Sequence, residues 1–243
     1  MKKLTIYLLL LLAGICRQAA AQTIDRTVAL QYLSRLQAPY EGKALAFDIA
    51  YKYSNESKPG VTLDSLKGRL EVQGNKYRYL IDSTIMLSND QYNIMVFKTD
   101  QLIVLSKPKE SPVDLTVVWN MLLDSASIQS YAMVPGKKDT TMIVTFLPDQ
   151  HYKKMTIHVD NKSRYITAVE YVVQTSMLMD EGQDPGKGYD PYARISIAFS
   201  NYLPLSPDPE RFSESAFVIK EGSEFKPSSA YKNFKIFKGS PNL

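Results

Sequence analysis

The sequence is poor in the residues that carry most enzyme chemistry. Its 243 residues include one cysteine, Cys16, and two histidines, His151 and His158. A single cysteine excludes a disulfide framework and any multi-cysteine zinc or iron–sulfur site. His151 stands in a turn pattern (DQHY) and His158 in a strand pattern (MTIHVD), neither with a third ligand type at metal spacing. No Gly-x-Ser-x-Gly elbow occurs. Gly186-Lys187-Gly188 lacks the glycine spacing and strand-to-helix setting of a phosphate loop. Asp180, Glu181, Asp184 and Asp190 miss the spacing of an EF-hand and its terminal Glu. The expectation is a protein that is not an enzyme, with no catalytic residue, metal or cofactor.

Long apolar runs are also absent, except at the start. Lys2 and Lys3 precede an apolar run over residues 4–15, followed by the small residues Ala19-Ala20-Ala21. That is the plan of a secretory signal peptide, residues 1–21, cleaved after Ala21. The run falls short of the roughly 20 residues that span a bilayer. No transmembrane segment is expected once the signal is removed, and the mature chain is expected to be exported. In Ala13-Gly14-Ile15-Cys16 the bulky Ile15 stands where a lipoprotein signal wants a small residue, which argues against a lipid anchor at Cys16.

Removing the signal takes away the only thiol and three positive charges, so the formal charge of +4 falls to +1. No basic surplus remains to neutralise phosphates, so a nucleic-acid partner is not expected. At 44% hydrophobic and 11% aromatic, the chain has enough apolar material for a core, and disorder is excluded. No repeat or low-complexity linker divides it. One domain is expected over 22–243, with a tail from about residue 220.

Periodicity supplies the elements. Ile24, Val28, Tyr32 and Leu36, with Ala29 and Leu33 beside them, predict a helix over 24–37 with Asp25 near its positive end. From Lys43 the period becomes two: Leu45, Phe47, Ile49, Tyr51 and Tyr53 face one way, and Ala46, Asp48, Ala50 and Lys52 the other. LKGRLEV and KYRYLID flank a Gln73-Gly74-Asn75 hairpin. STIMLS, YNIMVFK and LIVLSKP complete an antiparallel meander of six strands. Ser111-Pro112-Val113-Asp114 then caps a helix over 112–126. Its only polar strip is Thr116, Asn120 and Asp124. A helix apolar over so wide an arc is either buried in a core or laid across an apolar cavity. Four more strands follow (TTMIVTFLP, YKKMTIHVD, ITAVEYVVQTSML, ARISIAFSNY), the last of them after a polar loop over 180–191, and then irregular strands and a Lys-rich tail expected to wrap the sheet.

This order of elements resembles the LolA-like family, periplasmic carriers of outer-membrane lipoproteins and their relatives. The resemblance runs from Thr23 to about Val218. It is carried by Phe47-Asp48-Ile49-Ala50-Tyr51, Leu66-Lys67-Gly68-Arg69-Leu70, Lys76-Tyr77-Arg78-Tyr79 and Ile85-Met86-Leu87-Ser88-Asn89-Asp90. Met155 to Asp160, Ile195 to Tyr202 and Phe212 continue it. The chain departs from the family at Gln73-Gly74-Asn75, where the carrier has a cationic residue, and at Ile94-Met95-Val96-Phe97, where it has an aromatic pair. The long 180–191 loop and the Lys220–Lys238 tail are further departures.

The resemblance implies an α+β fold: a strongly curved antiparallel sheet, an incomplete β-barrel with helices over its concave face. It also implies a non-enzymatic carrier that holds a lipoprotein acyl chain or another lipid between sheet and lid. The expected apolar cavity is lined by Leu45, Phe47, Ile49, Tyr51, Leu70, Tyr77 and Tyr79 from the sheet and by Trp119, Leu122 and Leu123 from the lid. Taken singly each of these reads as ordinary core; taken together they point to a cavity, because a curved sheet has no other use for an apolar face. The competing expectation is an envelope interaction or scaffold module of the same fold with a filled interior and protein partners.

Overall fold

Period-two patterning dominates the mature sequence, and the strands it forms join into one large sheet. The computed structural model describes residues 21–40, 42–108, 127–148, 150–179, 186–206, 208–240 and 243. In chain order the strands are β1 (Gln22–Ile24), β2 (Ala44–Asn55), β3 (Thr62–Gln73), β4 (Lys76–Ile81), β5 (Thr84–Ser88), β6 (Asn93–Phe97) and β7 (Leu102–Ser106). Then come β8 (Ile128–Pro135), β9 (Asp139–Phe146), β10 (Tyr152–Asp160), β11 (Ile166–Gln174), β12 (Tyr192–Pro204), β13 (Val218–Glu221), β14 (Glu224–Pro227) and β15 (Lys235–Lys238). One α-helix, α1 (Arg26–Arg35), stands among the described residues.

Thirteen of these strands form a single curved sheet in the order β1-β8-β9-β10-β11-β12-β2-β3-β4-β5-β6-β7-β15. The expected meander is β2 to β7, with Gly74 at φ +57° in its tight hairpin. Neighbours are antiparallel except for β15, which lies parallel to β7. Among the described strands β1 and β15 have one neighbour each, so the sheet stays open and forms no closed barrel. The helix expected over 112–126, with Trp119, Leu122 and Leu123, lies outside the described residues, as does the expected signal up to residue 20.

The helix expected over 24–37 is shorter and turned. Asp25 caps it, its carboxylate accepting from the Val28 N–H at 2.9 Å, which satisfies one of the free donors at the helix start. Ile24 belongs to β1, paired with Tyr131, because the segment before the cap is extended and can add to the sheet edge. The buried stripe is Ala29, Tyr32, Leu33 and Leu36, and Val28 is 42% exposed. β8 completes the correction: IQSYAMVP has too few alternating apolar residues to stand out, and its pairing with β1 and β9 makes it a strand.

Cross-strand registers define two faces. The face bearing α1, the inner face, runs through Tyr131, Val144, Met155, Tyr171, Ile195 and Tyr53 across six strands. On it Ala29, Tyr32, Leu33 and Leu36 pack against Tyr131, Met142, Val144, Phe146, Met155 and Ile157. The outer face of β2, β3, β11 and β12 is polar, with Arg69–Asp48 and Arg194–Glu170 pairs at 2.9 and 3.2 Å.

The outer face of β5–β7 is the exception. Ile85, Leu87, Ile94, Val96, Ile103 and Leu105 are buried there beneath Phe212, Phe217, Val218 and Phe225 from the C-terminal segment. Asn89 fastens that segment, its amide donating to the Phe212 carbonyl at 3.0 Å and to Glu214 at 2.8 Å. The expected tail is thus the second layer of a core, which explains why STIMLS, NIMVF and LIVLS are apolar on both sides.

Candidate functional site

The inner face divides at β12 and β2. On one side α1 covers strands β8–β11. On the other a second cluster of Phe47, Ile49, Leu70 and Tyr77 is buried, flanked by the half-buried Tyr51, Val72, Tyr79, Met86, Ile197, Phe199 and Tyr202. All seven sheet residues expected to line a cavity lie on this face. Leu45, Phe47, Ile49, Leu70 and Tyr77 are buried, and Tyr51 and Tyr79 are half-buried. Trp119, Leu122 and Leu123 lie outside the described residues, so the pairing of sheet with lid is not part of the described structure.

Register lines these side chains up. Phe47, Leu70, Tyr79, Met86, Met95 and Val104 are successive cross-strand partners from β2 to β7. Phe237 on β15 continues the row at the sheet edge and is 60% exposed. Two residues before Leu70 on β3, on the same face, stands Gly68. A Cβ there would meet the Leu80 carbonyl oxygen at 2.5 Å and Tyr79 Cε2 at 3.1 Å. The missing side chain lets the Tyr79 ring lie over the strand, an aromatic covering a glycine.

Between the halves sits an aromatic group outside the expected set. Tyr202 stacks on Tyr165 (4.3 Å, 11°) and on Phe47 (4.8 Å, 30°), and Tyr40 meets both tyrosines at 5.4 and 6.3 Å. Its hydroxyls close a ring around one backbone unit. The Ile166 N–H donates to Tyr40 Oη at 3.0 Å, and Tyr202 Oη–H donates to the Ile166 carbonyl at 2.7 Å. The two hydroxyls lie 3.3 Å apart, leaving the Tyr40 proton to bond Tyr202. This group anchors the end of the α1 segment to the start of β11.

Electrostatically the face is neutral. Burial first, then the neighbouring Tyr51 hydroxyl, pushes Tyr79 up from the ordinary tyrosine value. Burial and Tyr40 do the same to Tyr202, and burial pushes Tyr171 up to about 12. Every one of these phenols is protonated at neutral pH. Among the described residues no group of three His, Cys, Asp or Glu could hold a metal. His158 Nδ1 is bonded to the Thr141 hydroxyl at 3.0 Å, and His151 to Gln174 at 3.2 Å. Asp190, from the part of the 180–191 loop that is described, is held below the usual carboxylate range by the Ser57 hydroxyl and then by the Ser57 N–H, which donates to it at 2.8 Å. Among the described residues, then, the face presents a surface for apolar contact rather than groups for proton transfer.

Among the described residues no helix is long and apolar enough to cross a membrane. No family profile and no curated protein matches the chain. Several solved structures align with most of the chain at low identity and at TM-scores below 0.5. An uncharacterized conserved protein from Thermus thermophilus is 8% identical, with 76% of this chain and 92% of that chain covered and a TM-score of 0.44. Lipoprotein LppX from Mycobacterium tuberculosis is 10% identical, with 76% and 100% covered and a TM-score of 0.43. A LolA superfamily protein from Nitrosomonas europaea is 8% identical, with 78% and 98% covered and a TM-score of 0.33.

Proposed function

We propose that this chain is a non-enzymatic periplasmic carrier that holds the acyl chain of a lipid or lipoprotein against the inner face of β2–β6. The observation that carries the proposal is the uneven cover of that face. α1 rests on the β8–β11 half, while Tyr51, Val72, Tyr79 and Met86 on the other half keep accessible apolar surface. In this reading the apolar 112–126 sequence is its expected cover. Burying about 14 methylenes at about 0.8 kcal/mol each offers roughly 11 kcal/mol. Immobilising the ligand costs at least about 4 kcal/mol of that. The remainder of about 7 kcal/mol corresponds to a dissociation constant on the order of 10 μM.

The test is delipidated mature protein titrated with a fluorescent fatty acid. Saturable binding in the micromolar range is expected, lost in Met86→Arg on the inner face and kept in Lys52→Glu on the outer face. Absence of saturable binding by the unmodified chain refutes the proposal.

A further inference from the structure

The inner face is not apolar to its end. Beside the row Tyr79–Met86–Met95–Val104 runs a shorter one, Ser88, Asn93 and Ser106, paired directly across β5, β6 and β7. These three are 2%, 6% and 8% exposed. Ser106 donates to the Asn93 carbonyl at 3.4 Å. The side-chain oxygen of Asn93 is buried with no hydrogen-bond partner among the described residues. Leaving a buried acceptor unmade is costly, and a strand position beside Met95 and Val104 would be served better by Leu or Val.

The turn does not explain it. In the β5–β6 connection the side chain of Asn89 already accepts from the Gln91 and Tyr92 N–H groups at 2.9 and 2.8 Å, and the Asn89 N–H donates to the Tyr92 carbonyl at 3.0 Å. Asn93 is therefore a second amide at the same turn with no part in forming it. The atom left buried without a partner is an acceptor, so what completes it must bring a donor. A carboxylate would set oxygen against oxygen. None of the side chains in the two rows carries a charge to reverse that preference.

We infer that Ser88, Asn93 and Ser106 form a polar subsite for an uncharged hydrogen-bond donor, an amide N–H or a hydroxyl, at the head of an acyl chain lying along the neighbouring apolar row. The inference rests on the carrier reading and adds the class of headgroup. A ligand of this kind places its chain over Met86 and Met95 and its donor at Asn93.

Four probes of one chain length separate the possibilities: oleamide, oleyl alcohol, methyl oleate and oleate. Each displaces a fluorescent acyl probe from the full mature chain. Oleamide and oleyl alcohol should compete about tenfold better than methyl oleate, the effect of satisfying one buried acceptor. Oleate should gain nothing over methyl oleate. Asn93→Leu should bring the four within twofold while methyl oleate is unchanged. It should also raise the melting temperature of the ligand-free protein, because a buried acceptor without a partner has gone. The wild-type ranking stands even if the variant does not fold. Equal competition by all four, or tightest binding by oleate, overturns the subsite and leaves the apolar face intact. Failure of every probe to displace overturns both.

Discussion

Met86 and Leu87 are chain neighbours on β5 that point to opposite faces, and they make the sharpest test of how the sheet is divided. Leu87 is 0% exposed on the outer face, packed with Ile94 and Leu105 beneath the C-terminal phenylalanines. Met86 is half-buried on the inner face beside Tyr79 and Met95. Leu87→Ala removes three heavy atoms from a closed site, and such changes cost about 2–5 kcal/mol. For a chain of this size 1 kcal/mol moves the melting temperature by about 2–4 °C. A cost near 3 kcal/mol then lowers it by roughly 6–12 °C. Affinity for an acyl probe should stay within about twofold, because the outer layer touches no part of the inner row. Met86→Arg should do the reverse. Its stem can lie along the sheet with the guanidinium at the water, so the melting temperature falls by less than half as much. A charge now stands where the acyl chain must be buried, and binding should weaken at least about tenfold. Scanning calorimetry and probe titration on both variants decide the matter. If Leu87→Ala melts within 2 °C of the parent, or weakens binding as much as Met86→Arg, the two-faced assignment of β5 is wrong.

Gly68→Ala should destabilise by about 1–3 kcal/mol, since its methyl group would sit against the Leu80 carbonyl and the Tyr79 ring; an unchanged urea midpoint would refute the close approach. Tyr202→Phe leaves the Ile166 carbonyl without its donor, at a cost of about 1–3 kcal/mol. Combined with Tyr40→Phe, the loss in urea unfolding should be less than the sum, because both hydroxyls serve one ring of bonds. At high pH the sign is fixed by the phenols. Their folded values lie above the unfolded value of about 10, so their stabilising contribution is complete below about pH 10 and is lost as the pH rises toward the folded values. Ultraviolet titration should therefore show an early class of exposed tyrosines and a late class that ionises only with unfolding. A single class near the ordinary value would refute the burial of Tyr79 and Tyr202.

What could be read from the sequence follows from how local each determinant is. β2 alternates because its outer residues Asp48 and Lys52 face solvent while Phe47 and Ile49 face in, so the strand and its buried side are both readable. In β5–β7 the alternation vanishes. The cover for Leu87, Ile94 and Leu105 is Phe212, Phe217 and Phe225, more than a hundred residues later. No window along the chain contains both layers, so the sequence suggests a tail wrapping the sheet but not that this tail is half of a core.

Tyr202 was hidden by a different cause, a local break in phase. Ile195, Ile197 and Phe199 point inward, and strict alternation would send Asn201 in after them. The register instead shifts between Ser200 and Leu203. Asn201 adopts φ +54°, a left-handed conformation that Asn tolerates better than most residues, and its amide donates to Asp48 at 2.7 Å. One extra residue in the strand exchanges the faces, and Tyr202 swings onto Phe47. The bulge thus sets where the covered half of the inner face ends. Without it Tyr202 would face outward, the bonds around Ile166 would be lost, and nothing would tie the end of the α1 segment to the boundary of the open half. The same kind of reading applies to Asn93: a polar residue on an inward position stands out only once the register shows which way it points.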